Sequence, residues 1–137
     1  MADETRQVVH FSLSIPHRVG EGARVLAAFR DSGINLIAVW GYSSGAGRAR
    51  LEFIPEDGAA FAAAAKQAKL RVKKSTAFYI LGDDRPGAVA DILAKLAAAK
   101  INVGAVQAVS AGSGRYGAVL FLSSAAARKA AQVLGAV

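Results

Sequence analysis

Cysteine is absent from this chain of 137 residues, which excludes disulfides and thiolate metal sites outright. Histidine is nearly absent as well: only His10 and His17 occur, and no spacing of His, Asp and Glu has the pattern of a metal centre. Long apolar runs are missing, since none approaches the roughly 20 residues needed to span a bilayer. The opening stretch "MADETRQVVHFS" carries early acids and no apolar h-region, so it does not read as a leader. A soluble, cytoplasmic protein with no membrane partner is the expectation. The remaining inventory is too thin for catalysis, because an enzyme needs convergent groups at defined geometry. The adjacent carboxylates of Asp83 and Asp84 point in different directions and cannot flank one glycosidic bond as an acid/base pair. A non-enzyme without a cofactor is therefore expected.

Acids are scarce too, ten against 17 Lys and Arg, for a formal net charge of +7. The densest basic stretch, "KQAKLRVKK", holds Lys66, Lys69, Arg71, Lys73 and Lys74 with no acid between them. Such a block can attract nucleic acid or an acidic partner, but blocks of like charge are more often a solvated helix end running into a lysine-guarded edge strand. Hydrophobic residues make up 53% of the chain, much of it alanine, more than a small monomer usually hides. Self-association, as a homodimer, is the expectation.

What the chain has in place of these is a repeat. Sliding it by 67 residues aligns Phe11 through Arg48 with Phe78 through Arg115 without a gap, and fourteen of the 38 pairs are identical. Among them are Phe11/Phe78, Arg18/Arg85, Gly20/Gly87, Ile34/Ile101, Asn35/Asn102, Ser43/Ser110 and Arg48/Arg115. Each copy reads strand, helix, strand, strand, helix. In the second, "TAFYIL" is a strand, "GDDRPG" breaks it, and Val89, Ile92, Leu93 and Leu96 give a helix its buried face. "INVGAVQAV" and "YGAVLFL" flank the turn "SAGSGR", and a last helix runs from an N-cap at Ser124 to Leu134, with Gly135 ending it. The first copy has "VVHFSLSI", a helix from about Glu21 to Ser32 with Val25, Leu26 and Phe29 inward, "NLIAVWGY", "RARLEFI", and an Ala-rich helix after Asp57. Its closing strand "LRVKKS" runs into "TAFYIL".

The pattern predicts an α+β chain of two tandem ferredoxin-like (βαββαβ) sandwiches, each an antiparallel sheet with both helices on one face. Leu70 aligns with Val137, so the second copy ends before a fourth strand. Either that sheet is one strand short, or a neighbouring segment or subunit completes it. In "NLIAVWGY" both alternating faces are apolar, which predicts cover on both sides.

The stretch "DDRPGAVADILAKLAAAKINV", with its counterpart "PHRVGEGARVLAAFRDSGINL", resembles the ACT domain, a small-molecule-sensing regulatory module of amino-acid metabolism. The resemblance covers nearly the whole chain as a tandem pair, 7–75 and 76–137. The first copy departs from the pattern: His17 replaces Asp84, and Val19 replaces Pro86. The resemblance implies an amino acid bound between the loop and the start of the second strand, often across two paired domains. Carried over residue by residue, the site is Asp84, Arg85, Pro86, Gly87, Ala88 and Asn102 in the second copy, and Arg18, Val19, Gly20 and Asn35 in the first. The loop suits that role on its own chemistry. Gly87 permits close backbone approach, Pro86 pre-sets φ, and the unpaired N–H groups of the next helical turn can bind a carboxylate. Asp84 can meet an ammonium and Arg85 a carboxylate, while each Asn offers one amide. Each residue also has a plainer reading: acids at a helix start stabilise its dipole, Pro-Gly makes a turn, and Asn closes turns.

The glycine-rich "GYSSGAGR" and "SAGSGR" lack the lysine of a phosphate loop and sit between strands, so hairpin turns are the better reading. An RNA-recognition module shares the element order, and "RYGAVLFL" falls on its signature strand. That signature wants base-stacking aromatics where this chain has Gly117 and Val119, so nucleic acid is the second choice. The expected function is a non-catalytic sensor of a small metabolite, an amino acid first of all, acting through a regulated enzyme or other effector protein. The alternatives are a basic RNA-binding module and a stand-alone regulatory subunit of an amino-acid biosynthetic enzyme.

Overall fold

The structure, a computed structural model, describes residues 3–137. The elements in chain order are β1 (Glu4–Pro16), α1 (Glu21–Asp31), β2 (Leu36–Gly45), β3 (Arg48–Pro55), α2 (Gly58–Gln67), β4 (Lys73–Asp83), α3 (Ala88–Ala98), β5 (Ala105–Ser110), β6 (Arg115–Phe121) and α4 (Ala127–Leu134). The architecture is α+β and ferredoxin-like. Two compact units divide the chain: Val9–Ser75, and Thr76–Val137 together with the chain before Val9.

In Val9–Ser75 the strands lie in the order β2-β3-β1, with the start of β4 beyond β1. β1 and β3 pair antiparallel, Phe11 opposite Phe53 and Leu13 opposite Leu51. Alternation along the strands puts Phe11, Leu13, Ile15, Leu51 and Phe53 on one face, where Val25 and Phe29 of α1 and Phe61, Ala64 and Ala65 of α2 cover them. Phe61 sits at the centre, its ring 4.2 Å from Phe29 and 4.6 Å from Phe11. Asp57 caps α2, accepting the Ala60 N–H at 3.0 Å.

The other unit repeats the plan with strands β4, β6 and β5 in that spatial order. Phe78 and Ile80 of β4, Tyr116, Ala118 and Leu120 of β6, Ile92 and Leu96 of α3, and Ala130 of α4 form its core. The fourth strand comes from the start of β1, beside β4. The C-terminal residue is tied to the same segment, with Val137 N–H on Thr5 O at 3.1 Å and Gln7 N–H on Val137 O at 3.3 Å. A neighbouring segment of the chain thus completes the sheet that the second repeat leaves short.

Three expectations change at this level. Ser124 opens a short 3₁₀ turn, Ser124–Ala126, and does not cap α4, whose N-cap is Ala126; Gly135 does end the helix, at φ 65°. β5 begins at Ala105, three residues beyond Asn102. In β2 one face is half-buried, through Leu36, Ala38 and Trp40, whereas Ile37 and Val39 remain 41% and 42% exposed. Val39 lies opposite Phe53, on the helix side, and is left open at this edge strand, whereas half-buried Trp40 lies opposite Glu52 on the other face, beside His10.

The two units solve one local problem differently. After α1 the chain turns through Gly33 at φ 74°, and after α3 it turns through Lys100 at φ 59°. Both turns carry the same bonds, Ile34 N–H to Phe29 O and Ile101 N–H to Leu96 O, so the backbone requirement is shared. A lysine in the left-handed region crowds its Cβ against the backbone, whereas glycine does not. Lys100→Gly is expected to raise stability by about 0.5–1 kcal/mol, the strain relief exceeding the entropy returned to the unfolded chain. Urea unfolding of the variant reads this directly.

Candidate functional site

β4 does not stop at the helix. Its last residue, Asp83, still pairs with Arg115 of β6, and Arg115 Nη1 donates to Asp83 Oδ1 at 2.6 Å. The next N–H, of Asp84, donates to Gly114 O at 2.8 Å, which fixes the loop against the β5–β6 turn. Ala88 N–H then donates to Arg85 O at 3.3 Å, and Gly87, at φ 82°, turns the chain into α3. That left-handed angle, and not close approach, is what glycine supplies here, since an added Cβ would meet nothing within 4 Å. The two aspartates therefore precede the first turn of α3 and are held by the β5–β6 hairpin.

The loop, the start of α3 and the edge strand β5 enclose a cleft of about 310 Å³, lined by Asp84, Arg85, Gly87, Ala88, Val89, Ala90, Ala108, Val109, Ser110 and Tyr116. Ser110 Oγ donates to Asp84 Oδ2 at 2.9 Å, leaving Oδ1 without a partner among the described residues. Arg85 is at the rim, its Nη2 on Asp91 Oδ2 at 2.7 Å, with both side chains exposed. The N–H groups of Val89 and Ala90 lie in the first turn of α3 and have no acceptor within the helix. Tyr116 forms the floor. Burial, helped by its hydrogen bond to Asp3 Oδ2 at 3.1 Å, pushes its hydroxyl up to about 12, so it stays neutral and presents an apolar ring. The remaining walls, Ala88, Val89, Ala108 and Val109, are apolar and small.

Of the residues the sequence singles out in the second copy, the structure gathers Asp84, Arg85, Gly87 and Ala88 on this cleft. Pro86 is exposed and outside its walls, and so is Asn102. Ser110, Tyr116, Ala108 and Val109 were not anticipated. Ser110 was within reach of sequence reasoning, because it is one of the identities of the repeat; Tyr116 aligns with Ala49 and leaves no such trace.

The first copy reproduces the backbone without the cluster. His17 N–H donates to Gly47 O at 2.9 Å, Glu21 N–H to Arg18 O at 3.2 Å, and Gly20 has φ 89°, each matching its counterpart in the second loop. His17 stands where the second copy has Asp84, so the aspartate that Ser110 holds has no counterpart beside Ser43 among the described residues. Arg18 and Val19 are exposed, and Arg18 lies 3.9 Å from Glu21. The Asn35 side-chain amide donates to Glu56, Nδ2 to Oε2 at 2.7 Å, while the Asn35 backbone carbonyl accepts the Glu56 N–H at 3.0 Å. Those two bonds fasten the start of β2 to the end of β3.

A second group of convergent polar side chains lies within Val9–Ser75, on the sheet face away from the helices. His10 Nε2 is 2.7 Å from Glu52 Oε1 and its Nδ1 is 2.6 Å from Ser75 Oγ. Glu52 Oε2 accepts from the Tyr42 hydroxyl at 2.6 Å and from Arg50 Nε at 3.3 Å, and the imidazole stacks on Trp40. Burial lowers the His10 pKa against the opposing pull of Glu52, so the neutral ring donates to Glu52 and accepts from Ser75. The hydrogen bond to Glu52 raises the Tyr42 hydroxyl. Among the described residues no buried side-chain polar atom lacks a partner.

Nor do the described residues bring three His, Asp or Glu side chains together to hold a metal. No helix among them is long and apolar enough to cross a membrane.

The fold that carries this cleft is ACT-like. Three solved structures illustrate it. Protein BT0572 from Bacteroides thetaiotaomicron superposes with a TM-score of 0.84 at 21% identity, over 96% of this chain and 88% of that one. The ligand-free regulatory subunit of aspartate kinase from Thermus thermophilus follows at 0.65 and 16%, over 98% and 93%. Escherichia coli aspartokinase III in complex with aspartate and ADP gives 0.57 and 13%, over 97% of this chain and 32% of the kinase. At such identities the likeness is one of fold. No family model matches the chain, and no curated protein sequence does.

Proposed function

We propose that the chain is a non-catalytic sensor, a tandem pair of ACT-like domains (7–75 and 76–137), that binds a small amino acid at the Asp84 cleft and signals to a partner enzyme of amino-acid metabolism. The observation that carries this reading is the juxtaposition of opposite polar ends across small apolar walls. A ligand carboxylate finds the N–H groups of Val89 and Ala90, its ammonium finds Asp84 Oδ1, and its side chain lies against Ala108, Val109 and Tyr116. The regulatory subunit from Thermus thermophilus, built on the same fold, supports a regulatory role. The exposed edge strands support a homodimer: Val106 and Val109 in β5 are 39% and 68% exposed, and Ile37, Val39 and Tyr42 are exposed in β2. Binding changes the partner only through a difference in affinity between two arrangements of the sensor. The first-copy loop, without an Asp84 equivalent, keeps a structural role.

A thermal-shift panel of the common amino acids tests the reading. One of them at a hundredfold excess over its Kd is expected to stabilise the protein by about 2.7 kcal/mol. Asp84→Ala should remove that shift, and Ser110→Ala, which loosens Asp84, should reduce it. A panel with no shift at any concentration would sink the proposal.

A further inference from the structure

All ten carboxylates of the chain have partners among the described residues: Glu4, Glu21, Asp31, Glu52, Asp83 and Asp91 hold arginines, Asp3 and Asp84 hold hydroxyls, Glu56 holds Asn35, and Asp57 caps α2. None of them reaches Lys66, Lys69, Arg71, Lys73 or Lys74, which are exposed and make no ion pair among the described residues. The charge excess is thereby concentrated. Val9–Ser75 holds ten Lys and Arg against five carboxylates, a net +5 of the chain's +7, and these five cations equal the whole of it.

The segment is also rigid. Leu70 and Val72 pack on the core of this unit, and Leu70 N–H donates to Ala65 O at 2.9 Å, so the cations between and beyond them face outward on a fixed backbone. Lys69 holds φ 59°, a left-handed angle at which glycine would be cheaper. We infer that residues 66–74 form a preorganised docking ridge for an acidic protein surface, one dense in Asp and Glu. A rigid ridge of unpaired charge steers such a partner and sets its register. Nucleic acid fits less well, because the segment has no aromatic residue on which a base could stack. A lipid surface also fits less well, because the large apolar residues of the segment, Leu70 and Val72, pack inward.

The test uses a fluorescein-labelled peptide of ten glutamates as the probe, with an oligo-uridylate of equal charge and phosphatidylserine vesicles as comparators, read by anisotropy or sedimentation across a salt series. The peptide is expected to bind tightest, with affinity falling as salt rises. The triple variant Lys69→Gly, Arg71→Gln, Lys73→Gln should lose about tenfold, and a control triple, Lys95→Gln, Arg128→Gln, Lys129→Gln, less than about twofold, as a local ridge and not net charge requires. Lys69→Gly alone should raise thermal stability while weakening peptide binding, whereas Lys100→Gly should raise stability and leave binding unchanged. Equal losses in the two triples, or tighter binding of the oligo-uridylate or the vesicles than of the peptide, would overturn the inference.

Discussion

Deleting residues 1–8 is expected to cost the unit that contains Thr76–Val137 about 3–5 kcal/mol, while Val9–Ser75 keeps its own fold. The segment supplies the strand beside β4, and its loss leaves a long strand with an open edge. It also buries Thr5, holds both backbone groups of Val137, and seats the Asp3 carboxylate on Tyr116. Gly82 records how close that seat is: an added Cβ would collide with Asp3 Oδ1 and come within 2.7 Å of Tyr116 Cε1. Native-state hydrogen exchange should show protection lost across β6, β5 and β4 beyond Ser75, and retained across the remainder of β1 from Val9 and across β3. An exposed pair is the control, because neutralising Glu4 and Arg6 should cost under about 0.5 kcal/mol. A deletion variant as stable as its parent would show that the second repeat closes its sheet alone. The cleft is at stake in the same experiment, since Tyr116 is its floor.

This division of labour explains what could be read from the sequence. The element order, the helix faces of α1 and α3 and the two hairpins were legible, because a gapless repeat lets each copy check the other. Val25 and Phe29 in one helix, and Ile92 and Leu96 in the other, are buried as their spacing predicts. The start of β1 was not legible. "ETRQ" is polar, and a strand whose neighbours come from another repeat carries no local signature. The cleft was half legible for a related reason. Asp84, Arg85, Gly87 and Ala88 are contiguous and announce themselves, whereas Ser110 and Tyr116 arrive from the far side of a hairpin through the register of β4 on β6. The same register explains why Asp83 and Asp84 serve the hairpin and not the helix dipole.

The polar cluster beneath β2 shows a cost that composition hides. With so few acids in the chain, one of them, Glu52, is only 6% exposed and accepts from His10, Tyr42 and Arg50 together. Glu52→Ala is expected to destabilise by about 1–3 kcal/mol, since it strands the buried His10 imidazole and takes the shared acceptor from Tyr42 and Arg50. Glu52→Gln keeps the shape and one acceptor and should cost less. His10 adds a pH dependence whose sign follows from its lowered pKa. Between the folded value and the ordinary imidazole value of 6.5, the unfolded chain binds the proton and the folded chain does not. Stability is therefore full above 6.5 and declines as pH falls from 6.5 through the folded value. Urea unfolding at intervals from about pH 7.5 down to about pH 5 should show that decline in the parent, and His10→Gln should flatten it. A parent whose stability holds or rises as the pH drops through this window would mean that Glu52 outweighs burial and that the imidazole is charged in the folded protein. The arginine and tyrosine on Glu52 argue otherwise, because they already occupy Oε2 and leave the histidine a single acceptor oxygen, which the neutral ring can serve with one N–H.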